Sequence, residues 1–593
     1  MNRYSDRGDK FRNPILFADY SDPDVIRVGD TYYMTASSFN YTPGLPILVS
    51  QDLVNWELKN YALENIGQER FKIPRHSEGV WAPAIRFHEG MFYIYYGMPD
   101  EGYYVVRTKD PLGKWEEPVC VLPGKGLIDS CPIWDDDGRA YIVHGYAKSR
   151  IGFKSILGIF EMSPDGLKAI SEDHFIFNGN DPEHPAITIE GPKVYKRNGY
   201  YYIWAPAGGV REGYQVVLRS RDIHGPYEIK KVMDKGSTVI NGPHQGGLVD
   251  TNKGDEWFVH FQDRGLYGRI CHLQPVTWDG DWPVVSVNKH DEGWGEPVYE
   301  LQKPASSRES AAKTVVMSGS DSDDLSSADI SVSGSKSDPF DYQALSTDLF
   351  EDGKYNLSWQ WLGDHEDGFY GKADGERGLR LFCKNPSGEK EPVIWRSSNV
   401  LTQKIVYPVF EARIRADVSG LFDGDRAGVC MTGGQYVTAY IERDSDKYIL
   451  KVAESEGGDS DKREVIKSET DLFELLREDE RCADSSSHIL KNLEFVMTFD
   501  LDGRDFPSEK LYFQDVKHPL GGKDPSLKIS LGVTFDEDGA EEHSAQSRRD
   551  LGISYTPSDH TWVGAKIGIY ALAGGENSSN GYADFKEVIV SEL

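Results

Sequence analysis

Along the chain, apolar positions fall into short, closely spaced runs rather than long stripes of helical period. Residues 186–208, AITIEGPKVYKRNGYYYIWAPAG, show the unit most clearly. Glu190 stands beside Gly191 and Pro192, a short apolar run follows, and Asn198 with Gly199 turns the chain into an aromatic run. Asn-Gly between two such runs is the strongest short-range hairpin signal. Similar aromatic cores recur as Tyr32-Tyr33-Met34, Phe92-Tyr93-Ile94, Ala140-Tyr141-Ile142, Tyr201-Tyr202-Ile203 and Trp257-Phe258-Val259, about 50 to 60 residues apart. A second echo lies downstream of several: Ser50-Gln51-Asp52 leads to Trp56, Thr108-Lys109-Asp110 to Trp115, and Ser220-Arg221-Asp222 to Tyr227. Each repeat reads as a small antiparallel sheet of about four strands, and five such sheets predict a five-bladed β-propeller over residues 1–303.

The pattern then changes. Residues 304–345 are rich in Ser, Asp, Gly and Ala with almost no aromatics, the composition of a solvated linker or surface loop. From residue 346 to 593, alternating runs at 409–416, 436–441, 447–453, 566–572 and 582–590 predict a two-sheet β-sandwich. Trp359 and Trp361, two apart, face one side as sandwich core or as a sugar platform. The Glu, Asp and Ser-rich stretch 454–491 reads as an exposed acidic loop.

Composition supports an all-β class: 60 Gly, 30 Pro and 12% aromatic residues in 593 suit many short strands and tight turns. A formal net charge of −31, with no basic stripe, argues against nucleic acid and anionic membrane surfaces as partners and for an uncharged ligand. The N-terminal stretch has no apolar core and no apolar run is long enough for a span, so a cytoplasmic location is expected. The six cysteines (120, 131, 271, 383, 430, 482) lack metal-ligand spacing and read as buried free thiols. Oligomeric state is left open, a homo-oligomer included.

Counting back 10 to 13 residues from each aromatic core lands on Asp22, Trp81, Asp129, Glu190 and His244. At the start of each inner strand these side chains can point at a common axis. Two carboxylates flanking a glycosidic bond suffice to hydrolyse it: one, protonated, gives a proton to the leaving oxygen, and the other, ionised, attacks or activates water. Crowding like charges raises the pKa of one of them. Taken singly, Asp22-Pro23-Asp24 also reads as a turn and Asp129-Ser130 as a cap, and Asp24 shares the parity of Asp22. The shared register favours the functional reading. Asp135, Asp136 and Asp137 before Gly138 read as a hairpin tip rather than a metal loop.

The segments FADYSDPDVIRVGDTYYMTASSF, GVWAPAIRFHEGMFYIYYG, IDSCPIWDDDGRAYIVHGY and IEGPKVYKRNGYYYIWAPAGG, in that order, resemble the inner-blade motifs of glycoside hydrolase family 43. The second half is similar to the concanavalin-like sandwich of that family's two-domain β-xylosidases. The resemblance implies Asp22 as general base, Glu190 as general acid and Asp129 as the residue that orients the acid and holds its pKa up. It implies Phe39 and Trp81 as walls of the sugar pocket, with simple packing as the alternative, Arg269 as a substrate-facing arginine, with a rim salt bridge as the alternative, and His244 as the residue through which a calcium ion is held, largely through water, the alternative being a neutral histidine hydrogen-bonded near the acid. No organic cofactor is implied. Inversion is implied too, which asks for carboxyls roughly 6.5–9.5 Å apart. The expected activity is release of xylose from non-reducing ends of β-1,4-xylooligosaccharides, with α-L-arabinofuranosidase action on arabinose-containing oligosaccharides, or a propeller that binds sugar without catalysis, as alternatives. A sandwich loop is expected to close the pocket.

Overall fold

A computed structural model describes the chain except for residues 1–5, 241, 306–345, 376, 478–485, 501–524, 535–547 and 576. The linker expected at 304–345 therefore lies almost wholly outside the described residues, as does Cys482.

Five four-stranded antiparallel sheets form a propeller, each with strands in chain order from the axis outwards. The innermost strands are Asp24–Val28, Trp81–His88, Leu127–Trp134, Lys193–Arg197 and His244–Asp250. Blade four shows how the local pattern becomes structure. Lys193–Arg197 pairs with Tyr200–Ala207 through a two-residue turn in which Asn198 and Gly199 both have positive φ (51° and 74°), as the right-handed twist of a hairpin demands. The aromatic run of blade four is continuous because both of its faces are covered. Tyr201, Ile203 and Ala205 pack with Tyr141 and Val143 of blade three, while Tyr202 and Trp204 pack with Phe258 of blade five.

The ring is tied by the N-terminal segment. Lys10–Arg12 pairs with Glu300–Gln302, and the buried Asn13 side chain donates to the carbonyls of Leu273 and Val298 (2.9 and 2.8 Å) and accepts from Leu273 N (2.8 Å).

The C-terminal part is a sandwich of two seven-stranded antiparallel sheets around one apolar core. Trp359 and Trp361 are 1% and 0% exposed within that core, so they are packing and not a sugar platform. The acidic-loop reading of 454–491 is corrected. Arg463–Asp471 returns as a strand against Lys447–Glu456, followed by the short helix Leu472–Leu476, capped by the Asp471 side chain. An edge strand with one solvated face can be built from polar residues, and that is what hid it. Cys120 is exposed whereas Cys131, Cys271, Cys383 and Cys430 are buried, and all five are free thiols. No helix among the described residues is long and apolar enough to cross a membrane.

The two domains meet through specific polar contacts. Asn40 Nδ2 and Thr42 Oγ1 donate to the carbonyls of Leu362 and Gly363 (2.8 and 2.6 Å), and the Asp364 carboxylate accepts from Ile66 N and Gly67 N (2.7 and 2.8 Å). Ser77 Oγ lies 2.7 Å from His560 Nδ1 and donates to Thr561 O at 2.5 Å. This pins the sandwich turn that contains Trp562 against the propeller.

Candidate active site

At the end of the propeller axis where the inner strands begin, one pocket is lined by Asp22, Phe39, Trp81, Ala82, Ile128, Asp129, Glu190, Val210, His244, Gln245, Arg269 and Trp562. It encloses about 470 Å³ including its mouth. All seven residues singled out from the sequence are in that lining. Asp24 is not. It lies wholly buried beneath, where its Oδ2 accepts from Arg86 Nη1 (2.6 Å) and Ile85 N (2.9 Å).

Backbone irregularity aims these side chains. Asp22, Phe39, Ala82 and Asp129 all have positive φ (53°, 52°, 39° and 63°), a region that residues other than glycine seldom occupy. Such strain persists only where the surroundings impose it, and it clusters at working sites. Pairing registers also shift at Trp81/Ala84, Ile128/Cys131 and His244/Gly246, bulges that turn side chains out of the ladder toward the axis. Gly191 has φ +58°, and a Cβ there would come within 2.5 Å of Gln245 Cδ, so glycine is what lets Glu190 approach.

The carboxylates stand in different surroundings. Asp22 accepts at Oδ2 from Ser21 Oγ (2.8 Å) and Ser37 Oγ (2.6 Å) and at Oδ1 from Arg269 Nη1 (2.9 Å). Ser37 Oγ also accepts from Ala82 N at 2.7 Å, which joins blades one and two beneath the base of the pocket. Asp129 Oδ2 accepts from Gly191 N at 2.8 Å, immediately after Glu190. Burial, with Asp22 nearby, pushes the Asp129 carboxyl up to about 6. Burial and the Asp129 charge push Glu190 up to about 8, against the opposing pull of Arg269. The Glu190 side chain keeps 30% of its surface exposed through the mouth. Two carboxyls of one hollow thus differ in environment, the arrangement that acid and base assignments need.

His244 Nε2 stands 3.5 Å from Glu190 Oε1. Burial and the Arg269 charge hold its pKa well below the ordinary histidine range, so the ring is neutral. Neither ring nitrogen has a hydrogen-bond partner among the described residues. Calcium takes six to eight oxygen ligands. Among the described residues no group of three or more His, Cys, Asp or Glu side chains is placed to hold a metal ion. A calcium caged by protein does not fit these residues, and only an ion carrying most of its own water could contact His244.

The wall has three aromatic residues. Trp81, anchored by Nε1 to Ser77 O (3.0 Å), meets Trp562 edge to face at 4.6 Å, and Phe39 adds a third ring. Trp562 comes from the sandwich, and no periodicity in the sequence pointed to it. Ser21, Ser37 and Gln245 were also missed. Ser21 and Gln245 adjoin predicted residues and Ser37 lies two before Phe39, but none carries a pattern of its own.

The family model for glycosyl hydrolases family 43 matches residues 11–283, and that for the beta-xylosidase C-terminal concanavalin A-like domain matches residues 347–480. The chain is 31% identical over 492 residues to a protein of Formosa agariphila named beta-xylosidase, covering 74% of this chain and 76% of that one. It is 34% identical over 294 residues to a non-reducing end alpha-L-arabinofuranosidase of Bacteroides ovatus, covering 46% and 53%. The crystal structure of a xylan beta-1,4-xylosidase from Bacillus halodurans superposes with a TM-score of 0.73 at 20% identity, over 98% of this chain and 100% of that one, a likeness of fold. With a propeller whose carboxylates share one pocket and both domain types matched in order, the chain belongs to glycoside hydrolase family 43 and is a glycosidase.

Proposed function

We propose that this glycosidase is an inverting, exo-acting β-1,4-xylosidase with Asp22 as base and Glu190 as acid. The observation that carries the reading is the contrast within one pocket. Asp22 is a carboxylate wrapped by a guanidinium and two hydroxyls, whereas Glu190 lies beside Asp129 and is driven toward its protonated form. In a single displacement, Glu190 gives its proton to the leaving oxygen as the bond from that oxygen to the anomeric carbon breaks. A water molecule forms the new bond to the anomeric carbon and passes its proton to Asp22. Asp129 fixes the Glu190 segment through Gly191 N and keeps the acid protonated by its charge. The neutral His244 adds no positive charge that would lower the acid's pKa. Phe39, Trp81 and Trp562 wall a pocket suited to a terminal pentose, which supports exo-action.

Asp22→Ala and Glu190→Ala, assayed on nitrophenyl xyloside and on xylobiose, test the assignment. Loss of the acid should cost about 10²–10⁴-fold on xylobiose and much less on the activated aryl glycoside, whereas loss of the base should hurt both alike. NMR of the first product should show the inverted anomer. The retained anomer would take water activation away from Asp22, and a wild-type protein inert on these substrates and on nitrophenyl arabinofuranoside would leave only a sugar-binding propeller. A second reading, α-L-arabinofuranosidase, draws support from the similarity to the Bacteroides ovatus protein, and nitrophenyl arabinofuranoside assayed beside the xyloside decides between them.

A further inference from the structure

Blade three carries large apolar side chains that the fold leaves uncovered. Phe153 and Phe175 are 36% and 62% exposed, and their rings lie 5.8 Å apart at 68°. Both rest on Tyr146, at 5.1 and 5.3 Å. Tyr146 donates its hydroxyl to Asp173, which also meets His144 Nε2 at 2.9 Å, so the ring beneath the pair is fixed. Exposed aromatic surface held in place by a partly buried network costs solvation without adding to the core, and such patches mark binding surfaces.

Its position relative to the pocket is set by two contacts. Gly145, next to Tyr146, packs so closely that a Cβ there would lie 3.4 Å from Asp129 Oδ2 and 3.9 Å from Glu190 Cα. The segment after Phe153 runs beside the one that leads into Glu190: Lys154 Nζ donates to Thr188 Oγ1 (3.0 Å) and Thr188 N donates to Ser155 Oγ (2.8 Å). Ile187, beside Thr188, is a third exposed apolar side chain (52%). None of these side chains lines the pocket itself, but the segment that follows Phe153 is bonded to the one that enters Glu190, which puts the patch on the Glu190 side. An acid must face the oxygen it protonates, so this is the side on which the leaving group lies.

We propose that Phe153 and Phe175 form a stacking platform for the leaving-group portion of a neutral pentose oligosaccharide, the sugars beyond the bond that is cleaved. The inference rests on reading Glu190 as the acid, since that assignment decides which side the leaving group occupies. The apolar C–H face of a pyranose lies against such rings without requiring charge, and none of the three side chains that make up the surface carries one. The platform gives the enzyme a preference for oligosaccharides over simple glycosides, while the enclosed pocket still releases one sugar at a time.

The test is the double variant Phe153→Ala/Phe175→Ala, whose exposed positions leave the fold intact, as an unchanged melting temperature would verify. In the active enzyme, kcat/KM for xylotriose should fall about tenfold while that for methyl β-xyloside stays within about twofold. In a Glu190→Gln background, calorimetry should show the Kd for xylotriose weakened about tenfold and that for xylose within about twofold. Equal effects on long and short ligands, no effect on either, or no xylotriose binding at all would overturn the platform. A wild-type protein that leaves xylotriose intact, with the contrast in Kd preserved, would remove the β-xylosidase reading and keep the platform as a sugar-binding surface.

Discussion

Arg269 Nη1 lies 2.9 Å from Asp22 Oδ1, a buried ion pair between blade five and the segment that enters blade one. The same guanidinium covers the Phe261 ring at 4.5 Å and donates to Ser21 Oγ at 2.6 Å, so its position is locked from three sides. Its charge reaches Glu190 as well, which it pulls toward ionisation.

Arg269→Gln and Asp129→Asn should therefore move the basic limb of kcat/KM in opposite directions. Removing the positive charge lets the Glu190 pKa rise above about 8 and carries the limb to higher pH. Removing the neighbouring negative charge lowers the pKa and brings the limb down. Parallel pH–rate profiles of the two variants check this, and shifts of the same sign would remove Glu190 as the group that sets the limb.

Glu190 also leaves a mark on stability. Its folded pKa is raised from 4.5 to about 8, so the native state holds a proton that the unfolded chain releases in that interval. The contribution is fully present below the unfolded pKa and is lost as pH rises through the folded one. Glu190→Gln abolishes this loss. Between about pH 5 and about pH 8 the variant's melting temperature should gain on wild type by roughly 2–4 °C. A constant difference across that range would count against the raised pKa.

Asp19 joins the sandwich to the catalytic pocket. Its Oδ1 accepts from Arg269 N (2.9 Å), and its Oδ2 accepts from Gly564 N (3.0 Å) and faces Lys566 Nζ (3.5 Å). Lys404 lies near enough to feel that charge, and burial beside Lys566 lowers its pKa to about 7. Asp19→Ala leaves two buried lysines without their anion and two backbone donors without an acceptor. A loss of about 3–5 kcal/mol in urea denaturation is expected, with a higher KM as the Trp562 turn loosens. A stability change below about 1 kcal/mol would show that the contact contributes little.

Trp562 takes φ 68° to present its ring to Trp81. Trp562→Gly suits that backbone and deletes the wall, so stability and activity should separate. The melting temperature should hold while kcat/KM on xylobiose falls at least about tenfold. Equal loss of both would make Trp562 a packing residue and nothing more.

Much of this protein could be read locally. The blade repeat, the Asn198 and Gly199 turn and the register of Asp22, Trp81, Asp129, Glu190 and His244 all follow from patterns spanning a few residues, because strand alternation and turn chemistry are set by near neighbours. What needed tertiary structure was whatever depends on pairing between distant segments. Asp22 rather than Asp24 enters the pocket because the backbone at Asp22 turns left-handed and breaks the parity the two share. Arg463–Asp471 becomes a strand because Lys447–Glu456 offers it a ladder, although its own composition is that of a loop. Trp562 completes a pocket of the first domain from near the end of the second, and Asp19 binds its turn in place. Contacts between segments so far apart are made only when the chain closes on itself, and no periodicity along the sequence can record them.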